Sequence, residues 1–91
     1  MMQTIWKFPL TALGTIRFSM PRDAVPLCVQ VQNEIPTIWA RIPDTDAQSF
    51  TRTFRVFGTG HNMDNFQGEY IGTFQLDGGA LVFHVFEEGN P

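Results

Sequence analysis

Apolar and polar residues alternate with a period of two along most of the chain, and no stretch of twelve residues carries the 3.6-residue period of a helix. Thr4 to Phe8 puts Thr4, Trp6 and Phe8 on one face, and Pro9 ends the run because it has no N–H to give to a ladder. From Thr15 to Met20, Ile16, Phe18 and Met20 face one way and Thr15, Arg17 and Ser19 the other, with Pro21 as the stop. Leu27, Val29 and Val31 then alternate with Cys28, Gln30 and Gln32. Asn33-Glu34 reads as a tight turn, since Asn tolerates the left-handed backbone that a hairpin needs. Thr37 to Ile42 returns, with Ile38, Ala40 and Ile42 opposite Thr37, Trp39 and Arg41.

Phe50 to Phe57, rich in Thr and Phe, is a fifth strand. Glu69 to Leu76 and Ala80 to Glu87 flank Asp77-Gly78-Gly79, the strongest hairpin signal in the chain. Across that pair Tyr70, Phe74 and Leu76 are expected to pack with Leu81, Phe83 and Val85. Pro43 to Ser49 has loop composition and is expected to be an exposed, mobile excursion. Gly58 to Gly68 is a longer loop with room for a turn of helix. About seven short strands with connections too short for parallel crossovers predict a mainly β domain, a small antiparallel sandwich or barrel-like fold with at most one short helix. At 91 residues, one domain covers residues 1–91.

Composition narrows the function classes. Nine Phe, two Trp and one Tyr give this short chain a core its length would otherwise deny it. The net charge is −3 and no run of basic residues occurs, so the positive footprint that duplex nucleic acid requires is missing. Cys28 is the single cysteine, which excludes an intrachain disulfide and fits a buried or half-buried thiol in a reducing compartment. No apolar run approaches the length of a membrane span, and the first residues lack the pattern of a secretion signal. Cytoplasm is the expected address.

Candidate chemistry is sparse. In Phe57-Gly58-Thr59-Gly60-His61, two glycines around a threonine can turn backbone N–H groups toward an anion, with His61 adding a donor. The same residues equally form a bulge where a strand leaves its sheet. His61 and His84 are the only histidines, which leaves no metal-ligand set of familiar spacing, and no cofactor motif occurs. All nine acidic residues fall in turns, loops or the tail and are expected to be solvated, so no catalytic residue is assigned. Trp39 beside Arg41, with Arg55 on the following strand, offers a planar surface next to cations, as a base and a phosphate require. The plain alternative is a tryptophan that covers the second side of a thin sheet.

The successive segments TIWKFPL, VQVQN, FGTGH, EYIGTFQ and ALVFHVFE resemble a family of short bacteriophage-encoded proteins to which no activity is assigned. The resemblance runs from Thr4 to Glu87 and is weakest over DTDAQSF. It implies a protein working in the host bacterial cytoplasm. By analogy with viral proteins that sequester cyclic nucleotides of bacterial defence, it also implies a homo-oligomer holding a small anionic ligand without turnover. The expected ligand set is Trp39 or Tyr70 stacking on a base, with Arg41, Arg55 and the backbone of Gly58, Thr59, Gly60 and His61 on phosphates. A protein-interaction module that caps or inhibits a host or phage protein is the alternative, acting through an aromatic patch or an unpaired sheet edge. Nucleotide hydrolysis through His61 and Asp64 is a third reading.

Overall fold

The computed structural model describes residues 2–89 and consists of seven strands in two antiparallel sheets. They are β1 (Thr4–Pro9), β2 (Gly14–Pro21), β3 (Val25–Gln32), β4 (Ile35–Ile42), β5 (Ser49–Gly58), β6 (Gly68–Leu76) and β7 (Leu81–Glu88). One sheet has the order β1-β4-β3 and the other β2-β5-β7-β6. The only helical element among the described residues is a 3-10 turn, Asp77–Gly79, inside the last hairpin. The loop after β5 contains turns and no helix. No helix among the described residues is long and apolar enough to cross a membrane.

Period-two alternation makes each sheet apolar on one face, and the two apolar faces close on a common core. Ile38, Ala40 and Ile42 of β4 meet Met20, Phe54 and Val85 of the larger sheet, and all six are fully buried. Phe8 of β1 touches Phe18 of β2 with ring centroids 5.4 Å apart, which joins the sheets at their β1 and β2 edges. At the opposite edges β3 and β6 come so close that a Cβ on Gly72 would lie 2.7 Å from Val29 Cγ1. Only a residue without a side chain fits there.

Turn chemistry explains the hairpins. Asn33 and Glu34 both have positive φ, 50° and 69°, as a two-residue turn matched to right-handed strand twist requires. Pro43 to Ser49 is tied down rather than loose. Asp44 Oδ1 accepts from the Asp46 N–H at 2.9 Å, and the Thr45 N–H donates to the Met2 carbonyl at 2.9 Å.

Two irregularities break the alternation. In β3 the register shifts between Pro26 and Cys28, so Leu27 is the extra residue and lies exposed instead of sharing the face of Val29. In β6 the shift falls between Tyr70 and Gly72. Ile71 turns in against the core, while Tyr70 pairs with Phe86 and stands outside, away from Phe74 and Leu76. One inserted residue moves everything beyond it to the other face, and alternation alone does not reveal where the insertion lies.

Candidate ligand cleft

On the outer face of the larger sheet, β5 presents Arg55 and Phe57 while β7 presents His84 and Phe86. Phe57 faces outward and is still only 7% exposed, because the loop after β5 folds back and lays Phe66 across it. Phe57, Phe66 and Phe86 contact one another edge-to-face at centroid distances of 5.0, 5.7 and 6.0 Å. Tyr70 adds a fourth ring, 5.5 Å from Phe86. Each such pair contributes about 0.5–1.5 kcal/mol beyond the area it buries. The outer face therefore carries a small apolar cluster of its own.

Gly68 returns the loop to β6. A side chain there would strike the Glu87 carbonyl and the Phe66 ring, so glycine is required for the loop to close over the cluster. The Gly89 N–H donates to the Gln67 carbonyl at 2.9 Å and ties the end of β7 to the same corner.

Beside this cluster opens a cleft of about 950 Å³, bounded by β5 from Phe50 to Thr53, the loop from Asn62 to Gln67, and Glu87 to Gly89. Arg55 crosses it with its guanidinium 5.1 Å from the Phe57 centroid and 5.6 Å from that of Phe66. Arg55 Nη1 lies 3.7 Å from Glu88 Oε1, beyond hydrogen-bond distance. Its Nε is buried and has no hydrogen-bond partner among the described residues. The guanidinium is thus held by aromatic faces and a long ion pair, with hydrogen-bonding capacity left over.

Arg52, three positions earlier, leaves β5 on the inner face and is fully engaged. Its Nε and Nη2 donate to both oxygens of Glu87 at 2.6 and 2.7 Å, and its Nη1 donates to the Ala24 carbonyl at 2.5 Å. Glu87 is therefore a structural partner, against the expectation that every carboxylate is solvated. A carboxylate near the end of a strand looks solvated in sequence, but here Glu87 pairs with Phe54 and its side chain reaches the inward Arg52 diagonally across the ladder.

Three of the four backbone donors of the Gly58–His61 segment are engaged within the protein, two of them inside the segment itself. The Gly58 N–H donates to His61 Nδ1 at 3.0 Å, the His61 N–H to the Gly58 carbonyl at 3.0 Å, and the Thr59 N–H to the Val82 carbonyl at 3.2 Å. The Gly60 N–H has no backbone partner among the described residues. Thr59 instead begins a chain that sequence reasoning did not find. Thr59 Oγ1 lies 2.8 Å from His84 Nε2, His84 Nδ1 lies 2.9 Å from Thr73 Oγ1, and Thr73 Oγ1 lies 2.6 Å from the Tyr70 hydroxyl. Thr59 Oγ1 also reaches the Val82 carbonyl at 3.4 Å. With the proton of His84 on Nε2, each hydroxyl of the chain has an acceptor, ending at that carbonyl. The outward position of His84 and Thr73 is legible in the alternation, but their pairing depends on the register after the bulge.

The expected ligand set divides between two surfaces. Arg55, Gly58, Thr59, Gly60, His61 and Tyr70 lie on the larger sheet and its loop, and of these only Arg55 lines the cleft. Trp39 and Arg41 point outward from the three-stranded sheet, on the other side of the core. Trp39 is half-buried between Lys7 and Cys28, and Arg41 Nη1 donates to Gln3 Oε1 at 2.8 Å. The structure brings to the cleft what the sequence did not single out: Phe57, Phe66 and Glu88. His61 accepts from Gly58 at Nδ1, and the Asp64 N–H donates to Asn62 Oδ1 at 2.6 Å, so each is engaged within its own turn.

No curated protein and no solved structure matches the chain. A family model described as "Domain of unknown function (DUF7352)" matches residues 1–91, and the chain belongs to that family.

Proposed function

We propose that the chain is a non-enzymatic binding protein whose cleft takes a small ligand with an anionic group beside a planar ring. The observation that carries this reading is Arg55, a guanidinium stacked on Phe57 and Phe66, with a buried unpartnered Nε and its nearest carboxylate at 3.7 Å. A phosphate or carboxylate in the cleft can accept from the terminal nitrogens of the partly exposed Arg55 guanidinium, and an aromatic ring finds apolar walls in Phe50 and Phe66. The resemblance to bacteriophage-encoded proteins supports the reading that the ligand is a nucleotide second messenger of bacterial defence, held in the host cytoplasm by a homo-oligomer. Trp39 and Arg41 have no part in this site.

The test is calorimetric titration of the protein with nucleotides and cyclic dinucleotides, alongside Arg55→Ala and Arg41→Ala. Arg55→Ala is expected to weaken binding by about 1.5–3 kcal/mol, the scale of a charged hydrogen bond. Arg41→Ala is expected to leave it unchanged. A titration in which Arg41→Ala abolishes binding, or in which no member of the panel binds, removes the cleft reading.

A second reading has its own observation. The outer face of the three-stranded sheet exposes Ile5, Val25 and Ile35 around Trp39, with Lys7 and Arg41 as the only charged side chains of its strands. Such a face suits a protein partner with an acidic rim. In that case Trp39→Ala and Arg41→Ala disrupt function while Arg55→Ala does not.

A further inference from the structure

The edge strands are β1 and β3 in one sheet and β2 and β6 in the other. β3 and β6 close on each other at Val29 and Gly72, which leaves β1 and β2 at the open side of the sandwich. β2 presents Thr15, Arg17 and Ser19 on its outer face, a polar guard of the usual kind. β1 instead exposes Ile5 on the outer face, at 57%, and Trp6 on the inner face, at 39%.

The main-chain groups of β1 sort by parity. The Leu10 N–H donates to the Pro36 carbonyl at 2.8 Å, in line with the β1–β4 register, so Thr4, Trp6 and Phe8 bond toward β4. Ile5 and Lys7 turn their N–H and C=O groups to the open side, and no backbone bond outside the strand ladder reaches either among the described residues. Pro9 stands third in that outward row, where it withholds no N–H from β4. Lysine is a customary guard of such an edge, but Lys7 leans the other way. Its Nζ donates at 2.9 Å to Gln32 Oε1 on β3, across β4.

Neither end of the chain fills the row. The Met2 carbonyl accepts from Thr45, and the single residue before Met2 is too short to reverse and pair with Ile5. Gly89 is bound to Gln67 beside β6. Residues 90 and 91 span at most about 7 Å, less than the two strand spacings of about 4.8 Å each between β7 and the β2 edge.

We propose that β1 pairs with β1 of a second copy, antiparallel and two-fold symmetric about Trp6, so that two three-stranded sheets become one of six. Ile5 and the partner's Lys7 exchange bonds in both directions, as do Lys7 and the partner's Ile5. The two Trp6 rings meet at the close, non-hydrogen-bonded site between them. Lys7 and Pro9 single out this register. Centred on Lys7, the pairing sets two lysines opposite each other and gives Ile5 a proline with no N–H to return. Centred on Ile5, it places Trp6 opposite Thr4, and the rings do not cover each other. β1 supplies every group the chosen register uses, and the two-fold pairing consumes the edge and closes, which makes a second copy the occupant. The inference names the interface of the homo-oligomer in the proposed function and rests on that part of it, without using Arg55.

The experiment uses the whole chain, by sedimentation velocity and 15N amide exchange. At millimolar concentration a species of twice the chain mass is expected. The Ile5 and Lys7 amides, which have no acceptor in their own chain, are then expected to exchange about a hundredfold more slowly than at micromolar concentration. Ile5→Pro removes an outward donor and no β4 bond, and is expected to give a monomer whose Lys7 amide exchanges freely. Trp6→Cys in a Cys28→Ser background is expected to form an intermolecular disulfide under mild oxidation, since Cα atoms at such a site lie about 4.5 Å apart. Gln30→Cys in the same background, on β3, is expected to stay reduced. A monomer at every concentration overturns the proposal, and so does a dimer that persists in Ile5→Pro and is not cross-linked through Trp6→Cys. If Ile5→Pro loses the fold, the cross-link and the Lys7 exchange of the unaltered chain decide. A chain that dimerises through β1 but binds no nucleotide removes the cleft reading and leaves this interface standing.

Discussion

Three positions apart on β5, Arg52 and Arg55 leave the sheet on opposite faces and meet different surroundings. Arg52 closes the end of the core through a two-pronged bond to Glu87 and a third bond to the Ala24 carbonyl, with both charged side chains about one fifth exposed. Truncation leaves Glu87 and a carbonyl without partners, so Arg52→Ala is expected to cost about 2–3 kcal/mol. For a domain this size that is roughly 10–20 °C in Tm by calorimetry. Arg52→Lys keeps the charge but loses the fork, and is expected to recover less than half of the loss. A drop of only a degree or two for Arg52→Ala would show that the pair is screened by solvent. His84 is the second residue whose partners define it. His84→Phe keeps the ring and loses the bonds to Thr59 and Thr73, a cost of about 1–2 kcal/mol. Amide exchange from Thr59 to Gln67 is expected to accelerate with it, since Thr59 anchors the start of that loop. Unaltered exchange there would mean that Phe66, not the hydroxyl chain, holds the loop down.

At the scale of elements, the long loop after β5 and the bulge in β6 together build the outer aromatic cluster. The bulge turns Tyr70 out toward Phe86, and the loop brings Phe66 onto Phe57. The contact of β6 with β3 depends on Gly72, whose Cβ would lie 2.7 Å from Val29 Cγ1 and 3.2 Å from the Val29 nitrogen. Gly72→Ala is expected to cost about 1–3 kcal/mol through overpacking, read as a fall in the urea midpoint. Val29→Ala removes the nearer atom, so the double variant is expected to lose less than the sum of the two single losses. Strictly additive losses would rule out a direct clash and point to backbone strain alone.

For the whole molecule, the decisive feature is that two sheets back onto one core and leave two outer faces of different character. One carries Trp39 with Lys7 and Arg41 and no acidic residue in its strands. The other carries Arg55 over its aromatic cluster, with Asp64 and Glu88 lining the same cleft. Pairings such as β1 with β4 and β2 with β5 join strands distant in sequence, and core formation must wait for them. The candidate site has the same dependence. Arg55 and Phe57 are adjacent on one strand face, but Phe66 and Glu88 reach them only after the loop and β7 are in place.

Strand positions, the faces of β2 and β4, the Asn33-Glu34 turn and the last hairpin were all determined by the sequence alone. Each follows from contacts within a few residues: alternation decides which side is apolar, proline stops a ladder, and Asn or Gly permits positive φ. The bulges at Leu27 and Ile71, the pairing of Glu87 with Arg52, the hydroxyl chain through His84 and the separation of Trp39 from Arg55 were decided by tertiary structure. An inserted residue reverses every later face without changing the local pattern, and which strands become neighbours depends on how two apolar faces of unequal width pack.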